Sequence, residues 1–529
     1  MTMKINAIAG VIALVSVVCS PLHAQTLTIG VRGGPESMDP HYSSLGTQAE
    51  AVNHIFDTLV AADENLQIKP GLAVSWKPIA DDVWEFKLRQ GVKFHDGSDF
   101  DAQDVKFSLE RVPVVTGPSS MTIFVRRVKD VQIIDPYTVH IRTDGPAPVL
   151  PYDFVRLYIV SSRAAKDYST RETAAQGFNS GKAAIGTGPF KFVSWEPKGD
   201  LVLERFDGYW GGPAAWKKVV RKEIQNDSSR LAALKAGQVD LINDVSSIDY
   251  LKLGKDSAVK TFVGESAYVM NLQLDQRPDV MPGIRAKDGS RLAKNPLTDI
   301  RVREAIDAAI DRRTMVDIVL EGLGKPAKEV LPPGFFGYSK AVPDPVYDPA
   351  KARKLLAEAG YPNGFQIDLY CTSDRLPGDA AICQGLGQML SAVGIKTNVN
   401  AVSKTVYFPA QARGEYSVAM NGWGTLTGEA SNMLGSLYHT KDDAKGLGAY
   451  NRISYSDPKL DALIEQGIME MDEGKRRAIF EEAVTKATAS KVLIPIVQLE
   501  SVWAAKAGLL NFKPRTDQNT LAQSITPAR

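Results

Sequence analysis

The sequence predicts an α/β protein with several lobes. Three observations support this: the chain has 529 residues, strand-like and helix-like segments alternate along it, and one stretch has the pattern of a strand, a helix and a second strand in succession. One hydrophobic core rarely serves more than about 300 residues, so the length predicts about three lobes. Alternating strands and helices favour a sheet flanked by helices.

The N-terminus has the features of an export signal. Lys4 precedes an apolar run over residues 7–18, and Ala24 supplies the small residue at a cleavage site. We therefore expect residues 1–24 to be removed after Ala24. No later stretch is long and apolar enough to span a bilayer, which predicts a soluble, exported product.

A lipid anchor on Cys19 is the alternative fate of this N-terminus. A lipobox normally has a small residue directly before its cysteine, whereas Val18 stands there in this chain. This departure favours the soluble product.

The overall charge argues against a nucleic-acid-binding protein. Removal of the signal takes away Lys4 and no acid, which leaves 61 basic residues against 61 acidic ones. Binding to phosphates depends on a basic stripe that releases counterions, and the sequence contains none. Hydrophobic residues at 44% and charged residues at 23% instead indicate an ordinary globular protein.

The first part of the chain predicts a β-rich region. Residues 26–31 alternate like a strand, and residues 49–59 have a helical period. Alternation over residues 84–94, interrupted at Gln90-Gly91, predicts a hairpin, and residues 128–141 predict a second one. Asp101 has the position of a helix N-cap.

The middle of the chain returns to mixed structure. Residues 190–195 and 201–205 predict a pair of strands, residues 228–236 a helix and residues 239–242 a strand. An amphipathic helix that ends near Gly322 is expected within residues 296–324, and its apolar face comprises Val302, Ala305, Ile306, Ala309 and Ile310.

The remainder is rich in helices and ends in a strand. Asp348-Pro349 predicts a helix start. A β-α-β unit then follows over residues 365–401. Two further helices, over residues 458–471 and 474–489, precede a final apolar strand over residues 492–499.

Cys371 and Cys383 are the two cysteines left after signal removal. They have neither CxxC spacing nor a nearby histidine, so a metal site is not expected. In an oxidising compartment the pair favours a disulfide, and two buried free thiols are the alternative.

Residues 421–433, NGWGTLTGEASNM, have no clean helical or strand period. They combine an aromatic residue, hydroxyls, a carboxylate and glycines, the groups that orient a ligand in a small-molecule pocket. The alternative is a surface loop in which Trp423 covers the edge of a core.

Catalytic motifs are sparse. The chain has no GxSxG elbow and no HExxH. Ser456 and Lys459 match an SxxK pattern of penicillin-recognising enzymes, but the SDN and KTG partner motifs are missing. Asp457-Pro458 explains the same residues as the start of a helix. We expect a non-enzyme without metal or other cofactor.

Several segments in order resemble family 5 of the bacterial extracellular solute-binding proteins, the peptide/nickel-type receptors of ABC importers. The most specific segments fall within residues 70–112 and read PGLAVSW, WEFKLRQGVKFHDG and DAQDVKFSLERV. GTGPFKFVSW, LERFDGYWGG, IRVREAIDAAIDR and YDPAKARKLLAEAGYPNGF follow. The resemblance covers essentially the whole mature chain.

This resemblance implies a periplasmic binding protein fold of type II, with two lobes, an inserted third domain and a hinged cleft. It implies the following divisions of this chain: lobe I over 25–70, 187–271 and 496–529, the inserted domain over 71–186, and lobe II over 272–495. Two chain crossings, near Asn271 and Pro495, suit closure about a hinge.

The resemblance also places residues 421–433 in the cleft. Peptide-binding members typically carry an aspartate three residues after the tryptophan that matches Trp423, and it pairs with the ligand's ammonium. Leu426 occupies this position here. Glu429 is the nearest acid, and Arg375 is a candidate partner for a ligand carboxylate, with a surface ion pair as its alternative. The expected ligand-binding residues are Tyr42, Arg375, Trp423, Thr425, Thr427 and Glu429, although Tyr42 could instead belong to a core.

The implied function is a monomeric periplasmic receptor that delivers a small peptide or peptide-like solute to an inner-membrane ABC permease and ATPase complex. The TGEA run over 427–430 is most similar to members for glutathione or other modified peptides. Two alternatives remain: a receptor for a metal chelate, opine or oligosaccharide, and a secreted serine hydrolase that uses Ser456.

Overall fold

The computed structural model describes residues 26–117 and 120–528. The expected signal and its cleavage site after Ala24 lie outside the described residues. Within them, no helix combines the length and apolar character that crossing a membrane would require.

The strands are β1 Thr26–Val31, β2 Val60–Ala62, β3 Ile68–Pro70, β4 Ala73–Ala80, β5 Val83–Leu88, β6 Val128–Asp135, β7 Thr138–Thr143, β8 Phe190–Trp195, β9 Asp200–Arg205, β10 Lys218–Glu223, β11 Leu241–Ile242, β12 Val259–Leu274, β13 Ile284–Ala286, β14 Gly324–Pro326, β15 Phe365–Thr372, β16 Ile395–Val402, β17 Val418–Gly424, β18 Leu493–Lys506, β19 Leu510–Asn511 and β20 Thr526–Pro527.

The α-helices are α1 Gly46–Val52, α2 Ala102–Val115, α3 Leu150–Asp153, α4 Ser162–Ala165, α5 Arg171–Asn179, α6 Asp227–Lys235, α7 Ser247–Leu253, α8 Ile300–Ala308, α9 Arg312–Thr314, α10 Pro349–Glu358, α11 Asp379–Ala392, α12 Lys404–Ala412, α13 Ala430–Met433, α14 Pro458–Met469 and α15 Glu473–Ala489.

One large sheet runs through the molecule in the order β13-β15-β17-β12-β18-β11-β1-β10-β9-β8. Its centre is the antiparallel pair β12 and β18, which extends from Val259↔Lys506 to Gln273↔Leu493. The register of this pair is interrupted between Glu265 and Val269. β12 pairs with β17 only from Tyr268 onward, so the sheet changes its neighbours at this interruption.

A separate four-stranded sheet, β4-β5-β7-β6, lies within the part of the chain predicted as the inserted domain. The hairpin predicted over residues 128–141 is confirmed by β6 and β7. The hairpin predicted across Gln90-Gly91 is wrong, because β5 is an inner strand that pairs with β4 and β7. The chain does turn at Gly91, which has a φ of 73°, but Lys93 then bridges Asp99 instead of returning to β5.

Helix starts were read correctly where an acid caps the first turn. Asp101 and Asp104 form a reciprocal capping box at α2, and Asp348 caps α10 with a proline in its first turn. The helix predicted within residues 296–324 is present as α8, with Val302, Ala305 and Ile306 buried on one face, but its predicted end near Gly322 is wrong. α8 ends at Ala308, and Asp311 caps a new helical turn by accepting from the Arg313 and Thr314 amides.

The β-α-β unit predicted over residues 365–401 is present as β15, α11 and β16, and its two strands are parallel. β15 ends next to the start of α11, and the structure joins Cys371 to Cys383 in a disulfide with a Cα–Cα distance of 6.5 Å. The linked unit forms part of a core in which both cysteines are fully buried.

Candidate functional site

The candidate segment, residues 421–433, begins in β17, passes through an irregular turn and ends in the short helix α13. Trp423 pairs with Val269 on β12, directly beside the interruption in the central strand pair. The Thr425 amide donates to the Ala267 carbonyl oxygen at 3.3 Å. The turn is therefore anchored where the large sheet changes its neighbours.

The turn also touches the first part of the chain. Leu66, at the tip of the β2–β3 hairpin, is buried in a cluster that contains Phe336 and Ala430 and packs against Trp423. Gly428 has a φ of 73°, and a Cβ at this position would lie 2.7 Å from the Leu66 carbonyl oxygen. Only glycine permits this close approach of the two backbones.

Three buried polar atoms of this segment have no hydrogen-bond partner among the described residues: Trp423 Nε1, Thr425 Oγ1 and Thr427 Oγ1. Thr425 is 0% and Thr427 6% exposed. Buried polar groups are nearly always paired in folded proteins. Three unpartnered groups within five residues are therefore consistent with a place that a ligand or water fills.

Arg375 lies against the same strand end. Its Nη1 donates to Asn421 Oδ1 at 2.6 Å and to the Gly422 carbonyl oxygen at 2.9 Å, and its guanidinium lies 5.2 Å from the centre of the Phe408 ring. No carboxylate of the described chain forms a salt bridge with it. The surface ion pair considered as its alternative is absent from this part of the chain.

Glu429 is buried and charge-paired. Arg476 Nη1 lies 3.2 Å from Glu429 Oε2, with both side chains at least 97% buried, and the Ser431 hydroxyl donates to the other carboxylate oxygen. The Arg476 guanidinium stacks over Phe336 at 4.3 Å and Tyr152 at 5.3 Å. Burial raises the pKa of Glu429, and the charge of Arg476 opposes this shift.

A second acid approaches this ion pair from the predicted inserted domain. Asp153 ends α3, next to the Tyr152 ring that packs 6.4 Å from Phe336. Burial, with a further contribution from the charge of Glu429, raises the pKa of Asp153 well above its usual range. Arg126 Nη1 donates to the Gly446 carbonyl oxygen at 3.2 Å nearby. Segments 124–153 and 336–476 are thus in contact.

The two remaining positions singled out from the sequence behave differently. Leu426 is partly buried against the same apolar cluster as Trp423, and Trp423 forms an edge-on pair with the exposed Tyr450 at 5.5 Å. Tyr42 is half-buried and packs against Gly117, where a Cβ would come within 2.8 Å of its ring. No hydrogen bond between described residues joins Tyr42 to the other five.

A cavity of about 440 Å³ is lined by residues from 310–313 and 325–347, together with Val269 and Gln498. None of the six expected ligand-binding residues lines it. Glu329 does, and both of its carboxylate oxygens are buried without a partner in the described chain. Burial raises the pKa of Glu329 from 4.5 to about 8, with the Ser339 backbone and the charge of Lys328 opposing this shift, so the buried site favours the protonated form of the carboxyl group.

The SxxK residues form the start of α14. Asp457 caps this helix by accepting from the Lys459 and Leu460 amides, and Ser456 is an exposed residue whose Oγ lies 2.9 Å from Thr440 Oγ1. Among residues 26–117 and 120–528, no cluster of three or more histidine, cysteine, aspartate or glutamate side chains could hold a metal ion.

Sequence reasoning missed the partners of Glu429. Arg476 lies in a KRR run that has the appearance of a solvated helix face, and Tyr152, Asp153 and Phe336 are distant along the chain. No local sequence pattern predicts the contacts of Glu429 with these residues. The PPGFFGY stretch at 332–338 was the one available signal, because two adjacent phenylalanines in a loop need a buried partner.

Comparisons with known proteins agree with this architecture. A family model described as bacterial extracellular solute-binding proteins, family 5 Middle, matches residues 67–445. The glutathione-binding protein GsiB of Salmonella paratyphi A is 26% identical over 500 residues, which cover 93% of this chain and 92% of the relative.

Solved structures of periplasmic binding proteins have a similar fold. The periplasmic binding protein DppA from Helicobacter pylori, in complex with the peptide STSA, aligns with a TM-score of 0.76 at 24% identity, over 95% of this chain and 98% of that one. AgaA from A. tumefaciens R10, in complex with agropinic acid, aligns with a TM-score of 0.73 at 25% identity, over 95% and 99%.

Proposed function

The chain belongs to family 5 of the bacterial extracellular solute-binding proteins, and on this premise we propose that it captures a small peptide or peptide-like solute for an ABC importer. The observation that carries the proposal is the group of three unpartnered polar atoms on Trp423, Thr425 and Thr427. They lie where the central strands are interrupted and where segments from both ends of the chain meet.

In this proposal the solute is enclosed by closure of two lobes about β12 and β18. Residues 25–70, 187–271 and 496–529 form lobe I, residues 71–186 the inserted domain and residues 272–495 lobe II. The crossing points near Asn271 and Pro495 are direct cross-strand neighbours. Such a narrow connection lets two bodies rotate with few broken contacts.

Each candidate residue has a distinct role. Trp423 offers a ring face and an indole donor, Thr425 and Thr427 offer hydroxyls, and Arg375 offers the remainder of its fork to a ligand carboxylate. Glu429 acts indirectly, because its pairing with Arg476 fixes the turn. Tyr42 would contribute from lobe I, on the other side of the cleft.

A non-peptide solute is the second candidate, and Leu426 favours it. An apolar side chain at this position offers no partner for a ligand ammonium. AgaA was solved with agropinic acid, and an opine of this kind would suit such a pocket. The serine hydrolase alternative requires Ser456 and Lys459 to act as catalytic groups, but both are accounted for by the start of α14.

We further propose that the protein acts as a monomer in the periplasm after cleavage at Ala24, without enzymatic activity, and meets an inner-membrane permease and ATPase complex. Two kinds of support bear on this: the family to which the chain belongs and the signal-like N-terminus. The proposals on export and on cleavage at Ala24 are independent of the proposed ligand site.

Mass spectrometry of whatever co-purifies from the host, followed by fluorescence titration with dipeptides, glutathione, opines, oligosaccharides and nickel chelates, tests the proposal. We expect one solute class to bind. Trp423→Ala should weaken the affinity for that solute more than tenfold, which corresponds to a loss of more than about 1.4 kcal/mol of binding free energy. Lys475→Ala, on the exposed face of α15, is the matched control. A protein that binds none of these solutes but hydrolyses esters or β-lactams would contradict the proposal.

A further inference from the structure

The end of β17 is rich in hydrogen-bond donors. The Trp423 indole and the Arg375 guanidinium can only donate, and the hydroxyls of Thr425 and Thr427 can donate or accept. Trp423 Nε1 and both hydroxyls have no partner within the described chain. Arg375 is fixed by the two oxygens that it contacts on Asn421 and Gly422.

Within residues 421–433, all of which the structure describes, no carboxylate is left unpaired. Glu429 is the one acid between residues 421 and 433, and its oxygens are occupied by Arg476 and Ser431. Leu426 faces apolar neighbours. Asp153 is the acid that approaches from across the interface, and burial together with the nearby Glu429 favours its neutral form.

An ammonium group placed here would meet donors and a guanidinium instead of an acceptor of opposite charge. A buried ion without a partner costs several kcal/mol. A carboxylate or carbonyl oxygen, in contrast, would satisfy the open donors, and a carboxylate would also pair with Arg375. The arrangement therefore discriminates between the two ends of an amino acid or peptide.

We infer that the end of β17 holds an oxygen-rich acceptor of the solute, and that the solute class comprises acids whose amine is blocked, substituted or absent. This inference rests on the proposed function and narrows it. The ligand would be recognised by its carboxylate, and acylation or alkylation of its nitrogen would leave recognition intact.

Calorimetric titration of the wild-type protein with matched probes tests the inference: glutathione, its N-acetyl derivative and its C-terminal amide, together with the same three forms of alanyl-alanine. We expect acetylation to change Kd less than threefold and amidation to weaken binding more than tenfold. Loss of more than a hundredfold on acetylation would overturn the inference while leaving the proposed function standing. Failure of all six probes to bind would contradict both for this solute class.

Leu426→Asp provides a test in the opposite direction, with Leu426→Asn as its uncharged control. The introduced carboxylate should make the free-amine probe bind at least tenfold better than the acetylated probe, and Asn should not. A folded Leu426→Asp variant with unchanged preference would contradict the inference.

Asp153→Asn keeps the inference testable if Leu426→Asp does not fold. Asp153 lies near Glu429 and is the candidate hidden ammonium partner that this variant tests. We expect Asp153→Asn to change the Kd of the free-amine probe less than threefold. A loss of more than tenfold, confined to the free-amine probe, would assign the ammonium site to Asp153 and overturn the inference.

Discussion

Two buried acids in residues 272–495 illustrate opposite solutions to the same problem. Glu429 is paired with Arg476 at 3.2 Å, and the polar atoms left open beside it are the uncharged groups of Trp423, Thr425 and Thr427. Glu329 lines a 440 Å³ cavity, yet both of its own oxygens lack a partner in the described chain. Around Glu429, the charge is neutralised by Arg476, and uncharged polar atoms are left without partners. At Glu329, burial favours the protonated, neutral form of the acid itself.

This difference decides which region is the better candidate for the ligand. Cavity size alone would favour the space beside Glu329, because its volume falls within the range of small-molecule pockets. The hydrogen-bonding inventory favours the turn at 423–427, where three buried polar atoms without partners lie within five residues, beside the central strands β12 and β18. A large space with one buried acid offers fewer groups that can orient a peptide-like solute than three unpartnered polar atoms within five residues do.

The largest expected effect comes from breaking the ion pair. Arg476→Ala leaves Glu429 buried and unpaired, which should lower the free energy of unfolding by about 3–5 kcal/mol. Denaturant unfolding measures this, with Lys475→Ala as a control that should stay within about 0.5 kcal/mol. Combining Arg476→Met with Glu429→Gln should recover most of the loss. If Arg476→Ala alone has no effect, the pair does not stabilise the turn.

The next effect depends on pH. The unfolded chain ionises Glu329 above about pH 4.5, whereas the folded chain holds the proton to about pH 8. The free energy of unfolding should therefore fall as pH rises through this window, by about 1.4 kcal/mol per pKa unit. We expect Glu329→Gln to stabilise the protein by about 5 kcal/mol at pH 9 and to have little effect at pH 4.

Thermal unfolding from pH 4 to 9 measures the effect of Glu329→Gln, and Glu482→Gln, at an exposed position of α15, is the control. A Glu329→Gln variant that is equally stable or less stable at pH 9 would show that the carboxylate has a partner. Glu329 would then be a paired acid like Glu429, and the contrast between the two regions would fail.

The smallest effect concerns the open hydroxyls. Thr425→Val and Thr427→Val remove buried polar atoms without partners, so each should raise the stability of the ligand-free protein by about 1 kcal/mol. The same changes should weaken solute binding about tenfold. Thr440→Val is the matched control, because the Thr440 hydroxyl donates to Asp461 at 2.6 Å and its removal should destabilise. Destabilisation by all three changes would mean that the hydroxyls at 425 and 427 are already satisfied.

Much of the fold could be read from the sequence because its signals are local. Helix starts are predicted by acids whose side chains accept from nearby amides, as at Asp101, Asp348 and Asp457. The alternation of residues 26–31 predicts β1. The pairing of β5 with β4 and β7 could not be read this way. Strand partners depend on contacts far along the chain, and the turn at Gln90-Gly91 resembles a hairpin in every local respect.

In the candidate site, too, local features could be predicted from the sequence and long-range contacts could not. The composition of residues 421–433 singled out the turn, and the spacing of Cys371 and Cys383 allowed the disulfide. The environment of Glu429 could not be foreseen, because Arg476 and Tyr152 reach it from other parts of the chain. Glu429, which the sequence offers as a free acid, is paired with Arg476 in the fold. We therefore propose the neutral groups and Arg375, instead of this carboxylate, for recognition of the ligand.

A crystal structure of the protein with its co-purified solute tests this account most directly. The account predicts a solute oxygen within hydrogen-bonding distance of Trp423 Nε1 and of the Arg375 guanidinium, about 2.7–3.2 Å, with the pair of Glu429 and Arg476 intact. A solute seated instead in the cavity beside Glu329, with Trp423 Nε1 and both threonine hydroxyls uncontacted, would contradict it.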